Sequence, residues 1–197
     1  MFHEQSLPRT IKNAWIGALT SIIILIPVTI FTGLEQLGKL DPKLIPAFVI
    51  LLIAYTIASS YILWGFAQLG NHFTNKLLSI GSLILLVSNI LVTVYYILYY
   101  VTPYVVQFAT KDEFLNLSII ITGLLSLPFG IGILQLKKHL GDICLWVGIL
   151  ELCAAALAGL GYFLTSLLEL SSLVLLLAMV LEVMIIYDAH KKFPENK

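Results

Sequence analysis

The sequence predicts an all-α integral membrane protein. Six transmembrane helices are expected, built from tandem two-helix hairpins with both termini cytoplasmic. Three observations carry this reading. The 197-residue chain is 59% hydrophobic and only 11% charged. Its apolar runs supply the roughly 20 residues a helix needs to cross a hydrocarbon core of about 30 Å. One motif also recurs after 67 residues without a gap. No strand-like alternation of apolar and polar residues suggests a membrane barrel, so the spanning segments are helices that satisfy their own backbone groups.

The first span, near 13–34, follows Arg9 and Lys12 and carries Ala14, Gly17, Ala18 and Ser21 on one face, with Pro27 further along. It is too long for a signal h-region and no small-residue cleavage site follows it, so it is expected to stay as a mature helix. The second span, 45–70, begins beyond Lys39 and Lys43 and closes at Gln68. The third, 77–101, ends among Tyr95, Tyr96, Tyr99, Tyr100 and Tyr104, as an interfacial aromatic belt would. The fourth, 114–136, is interrupted by Pro128; the fifth, 143–165, carries Glu151 and a stripe of Ala154, Ala155, Ala158 and Gly159; the sixth, 170–187, carries Glu182. The outer loop between the last two, around Thr165–Ser171, is expected to be nearly absent. All connections are short, so residues 1–197 form a single polytopic membrane domain.

QLGNHFTNKLLSIGSL (68–83) aligns with QLKKHLGDICLWVGIL (135–150). The same register pairs Ser59 with Ser126, Gly65 with Gly132 and Tyr95 with Tyr162, for ten identities between positions 59 and 95. Each copy joins the end of one span to the start of the next, the pattern of a duplicated helix pair. WIGAL at 15–19 matches WVGIL at 146–150, and HFTN (72–75), HLGD (139–142) and KFPE (192–195) each close a returning helix. The expected units are 8–75, 73–142 and 140–197, with any symmetry axis along the membrane normal.

Orientation follows from the cations. Arg9, Lys12, Lys76, Lys137, Lys138, Lys191, Lys192 and Lys197 fall on one side; Lys39, Lys43 and Lys111 fall on the other. The richer side faces the cytoplasm, and both termini with it, in what is expected to be the cell membrane. Net charge is zero and there is no basic cluster, so nucleic acid is not an expected partner. The expected surroundings are the lipid bilayer and either a second copy or another membrane protein. Cys144 and Cys153 lie about 13 Å apart along one helix, too far for a disulfide.

Three tandem two-helix units are similar to the plan of mitochondrial carriers, whose Pro-x-[Asp/Glu]-x-x-[Lys/Arg] signature this chain lacks. Ala14-x-x-x-Ala18, with the chain's length and spans, resembles the first-helix coupling motif of the substrate-binding subunits of energy-coupling-factor vitamin transporters. No ligand-binding pattern accompanies those alanines, and the chain is assigned to neither family.

Glu151 and Glu182 stand out, because a carboxylate inside the hydrocarbon costs a few kcal/mol or more when charged. Glu151 lies about 13 Å inward from Asp142, and Glu182 about 9 Å inward from Asp188. On adjacent antiparallel helices the two reach comparable depth, where they could share a proton or coordinate a cation. The plainer reading is two separate, hydrogen-bonded acids near the boundary. Pro128, with Gly130 and Gly132 beside it, is a candidate hinge or simply a packing kink. His72, His139 and His190 share one rim, but the third is out of register by two residues and none forms an i, i+4 pair, so no metal site is expected. Gln68, Gln135 and Asn89 are expected interhelical hydrogen bonders, and the small-residue stripes are packing or partner faces.

Neither a catalytic constellation nor a cofactor motif is present, so the chain is read as a non-enzyme without a cofactor. Two functions remain. The first is small-solute or ion transport, proton-linked through the two glutamates. The alternative is a structural or regulatory membrane protein acting through helix–helix contacts with a partner.

Overall fold

The computed structural model describes residues 6–101, 111–164 and 166–194. These form six α-helices: α1 (Ser6–Gln36), α2 (Ile45–His72), α3 (Lys76–Val101), α4 (Lys111–Leu140), α5 (Ile143–Gly161) and α6 (Ser166–Lys192). A short 3₁₀ turn, Pro42–Leu44, leads into α2. Each α-helix contains a segment long and apolar enough to cross a membrane, so the chain is an all-helical multi-pass membrane protein.

The spans run close to their expected bounds, with one correction. Ser171 is not in a loop. α6 begins at Ser166, because nothing in Ser-Leu-Leu-Glu-Leu-Ser breaks a helix, and the buried Ser171 hydroxyl donates to the carbonyl of Ala154 at 2.9 Å. That bond ties α5 to α6 about two turns before α5 ends and between one and two turns into α6. Tyr104 and Thr165 lie outside the described residues.

Every helix packs against the next in the chain, and α1 against α6 closes the ring. α6 also touches α2 and α4, so it lies closer to the middle of the bundle. The long side chains of the core are distributed unevenly. Ile11, Phe66, Leu69, Leu78, Phe129, Ile133, Leu136, Val147, Ile185 and Ile186 are all less than 2% exposed. All of them lie in the half of the bundle where α1, α3 and α5 begin and α2, α4 and α6 end. In the opposite half the buried positions on α5 and α6 are mostly small, such as Ala154, Ala155, Ala158 and Ser171. Among the described residues the bundle is therefore most solid at the end where α1, α3 and α5 begin, although Phe48 and Leu168 are also buried at the other. The solid end carries Arg9, Lys12, Lys76, Lys137, Lys138, Lys191 and Lys192; Lys39 and Lys43 lie at the other.

Without a hydrophobic force between helices in lipid, close association depends on van der Waals fit and interhelical hydrogen bonds. Both small-residue stripes serve that purpose inside the chain. Ala14, Gly17, Ala18 and Ser21 are buried, with Ala14 against Gly65 and Gly17 against the Ala58 carbonyl and Tyr61. Ala158 packs on Gly123. Gly65 and Gly132, which share a register, both sit where a returning helix crosses the helix before it; a Cβ on Gly132 would lie 2.5 Å from the Leu78 backbone. Such contacts forbid any side chain at that point.

Hydrogen bonds between helices come from shorter side chains than expected. Asn89 does bond across, Nδ2 donating to the Ser59 hydroxyl at 2.7 Å, whereas Gln135 is exposed. The strongest tie is Asn75, in the α2–α3 turn. Its Oδ1 accepts from the Leu78 amide at 3.1 Å while its Nδ2 donates to the Gly132 carbonyl at 2.7 Å. One buried side chain thus caps α3 and fastens it to α4.

Candidate functional site

Glu151 projects from α5 and Glu182 from α6, with 4% and 7% of their surface exposed. Their carboxyl groups lie beside each other, within reach of a hydrogen bond, and the Ser126 side chain of α4 lies beside Glu151. Two carboxyls this close can bond to each other when one of them is protonated, because a carboxylate only accepts. Ser126 also donates its single hydroxyl hydrogen to the Gly123 carbonyl at 2.9 Å. The two glutamates are therefore neighbours.

The approach of α4 to this pair has a local cause. A Cβ on Gly130 would lie 2.8 Å from the Glu151 Cβ, and one on Gly148 would lie 2.9 Å from the Gly130 carbonyl. Two glycines facing each other let α4 and α5 approach until Ser126 reaches the acid. Pro128 lies between Ser126 and Gly130, and α4 runs unbroken through it. Here Gly130 and Gly132 are contact points with α5 and α3.

The pair borders a cavity of about 290 Å³ at the middle of the bundle. From α2 come Tyr55, Ser59, Ile62 and Leu63; from α4 come Thr122, Ser126 and Phe129; from α6 come Leu175, Met179 and Glu182. Leu63 apart, these positions correspond one to one. The first and second sets differ by 67 residues throughout, the same shift that relates the two motif copies. The second and third differ by 53, the shift that places His139 on Lys192. Glu182 thus stands where α2 has Ile62 and α4 has Phe129. The odd-numbered helices contribute unequally: α3 supplies Leu85, Asn89 and Val92, while α5 supplies Glu151. Two hydrogen bonds steady the wall, Asn89 to Ser59 and the Tyr55 hydroxyl to the Met179 sulfur at 3.2 Å.

The histidines do not converge. Phe73 stacks on His139 with ring centroids 4.1 Å apart and meets His72 edge-on, and His72 meets Phe193 at 5.1 Å. Lys192 donates to the His139 carbonyl. The ends of α2, α4 and α6 thus share an aromatic plug, and His190 is half-buried on α6. Among the described residues no three metal-ligating side chains cluster.

The sequence brought Glu151 and Glu182 forward. It did not single out Tyr55, Thr122 or Met179. The identity of Ser59 with Ser126 in the 67-residue register was the available signal for the cavity wall. No family model, curated protein or solved structure matches the chain.

Proposed function

We propose that this membrane protein moves a small solute or ion across the bilayer, linked to protons through Glu151 and Glu182. One observation carries the reading: two intramembrane carboxyls side by side at the edge of a mid-bundle cavity. Ionisable groups at that depth are costly and mark proton or ion pathways. The matching positions 55/122/175, 59/126/179 and 62/129/182 support three related hairpins around an axis through the cavity. The cation-rich end supports an inward-facing solid half, with both termini cytoplasmic, in a cell membrane.

The alternative, a structural or regulatory protein, drew on the small-residue stripes as a partner face. Those stripes are buried against α2 and α4, so transport is the reading developed here. No enzymatic role is assigned: beyond the carboxyl pair, the cavity presents hydroxyls, an amide and a thioether.

The test is flux. Purified protein in proteoliposomes with a pH-sensitive dye inside should show movement of a small cation coupled to proton movement. Glu151→Gln should leave the folded bundle intact and remove the pH dependence. Equal, pH-independent leak through wild type and variant would end the proposal.

A further inference from the structure

We propose that the cavity binds a small organic monocation, its ammonium head at the Glu151–Glu182 pair and an apolar body of roughly ten heavy atoms along the walls. This rests on the proton-linked reading of the pair and adds the chemical class of the solute. Two acids alone would not specify a ligand; the space beside them does.

Size is the first argument. A cavity of about 290 Å³ has the volume of about ten liquid waters, at roughly 30 Å³ each. A bare inorganic ion would leave most of that space against Leu63, Leu85, Val92 and Leu175, where water finds no partners. An organic body fills it. Ligand count is the second. Hard divalent cations take about six to eight oxygens; the two carboxyls and Ser126 supply at most five, and of the remaining wall groups Tyr55, Ser59, Asn89 and Thr122, Ser59 is bonded to Asn89 and Tyr55 to Met179.

Wall chemistry is the third argument. Tyr55 and Phe129 offer aromatic rings and Met179 a polarizable sulfur beside the acids. A quaternary or protonated amine is attracted to ring faces as well as to a carboxylate, whereas an inorganic ion gives up more hydration to reach them. Charge balance then follows. On the proton-linked reading the pair shares one proton; one monocation entering and one proton leaving then keeps the net charge of the buried site unchanged. An anion would add repulsion, and a neutral solute would displace no proton.

The experiment uses the full chain in lipid nanodiscs, in weak buffer, titrated with benzyltrimethylammonium chloride. Sodium chloride at the same ionic strength is the control. Saturable release of about one proton per bound cation, with a rise in thermal midpoint, is expected for the organic cation alone. Glu182→Gln and Glu151→Gln, each verified as folded by circular dichroism and gel filtration, should abolish the release. Val92→Phe, which fills the cavity away from the acids, should weaken benzyltrimethylammonium binding at least tenfold. Absence of saturable release, equal release with sodium, or release that survives both glutamine variants overturns the inference. Proteoliposome flux separates this from the broader reading. Proton-linked sodium or potassium flux without benzyltrimethylammonium transport retains permeation and defeats the organic-cation site. Saturable benzyltrimethylammonium binding with no flux of any cation retains the site and defeats permeation.

Discussion

Phe66 of α2 and Phe129 of α4 meet edge to face, ring centroids 5.3 Å apart and ring planes at 88°. Both are essentially unexposed. Phe129 borders the cavity, and beyond Phe66 toward the solid end lie Leu69, Ile133, Leu136 and Ile186, also fully buried. The ring pair thus bounds the cavity where α2 and α4 meet, on the side of the solid end.

Phe129→Ala should therefore both loosen and open the molecule. Removing a fully buried ring costs about 3 kcal/mol. The thermal midpoint in detergent should fall accordingly. A cysteine placed at Ser59, in the cavity wall, should gain reactivity toward a membrane-impermeant maleimide added from the cation-rich side. Unchanged labelling from that side would mean that something else closes the cavity there.

Glycine substitutions should separate contact from open space. A Cβ at Gly132 meets the Leu78 backbone at 2.5 Å, which cannot give way without moving α3. At Gly33 nothing lies within 4 Å. Gly132→Ala should destabilise by about 1–3 kcal/mol, as overpacking does. Gly33→Ala, in a helix, should be neutral or slightly stabilising. Equal effects in a thermal or denaturant series would contradict the packing described.

Asn75 offers a graded series. Asn75→Ala loses the α3 cap and leaves the Gly132 carbonyl without its interhelical donor, at a cost of about 2 kcal/mol. Asn75→Asp retains an acceptor for the Leu78 amide but lacks the donor, so its unfolding midpoint should fall between those of Ala and wild type. An Asp variant as weak as Ala would show the cap to be unimportant.

Topology is testable at two described lysines. Lys43→Cys and Lys138→Cys should react with impermeant maleimide from opposite sides of sealed vesicles, Lys138 from the cytoplasmic side. Same-side labelling would break the six-span arrangement; reversed labelling would invert the orientation alone.

Much of this was legible along the chain. Apolar run length specifies spans because a helix of given rise must cover a given thickness of hydrocarbon, and that arithmetic needs no tertiary information. Glu151 and Glu182 were equally visible, since the cost of a carboxyl in lipid belongs to the residue itself. Their partnership was one of two readings the chain allowed. It depends on α5 and α6 being neighbours, and on Gly130 and Gly148 letting α4 close in until Ser126 reaches Glu151. The pattern did not separate the uses of the small residues. A stripe such as Ala14, Gly17, Ala18 suits a partner helix and an internal one alike, and only the fold assigned it to α2. The sequence by itself determined which segments enter the membrane and which residues are costly there, because both follow from transfer energies of single groups. The tertiary structure decided which costly groups meet, where the core is solid and where a cavity remains. Those follow from shape, and shape is a property of pairs of surfaces.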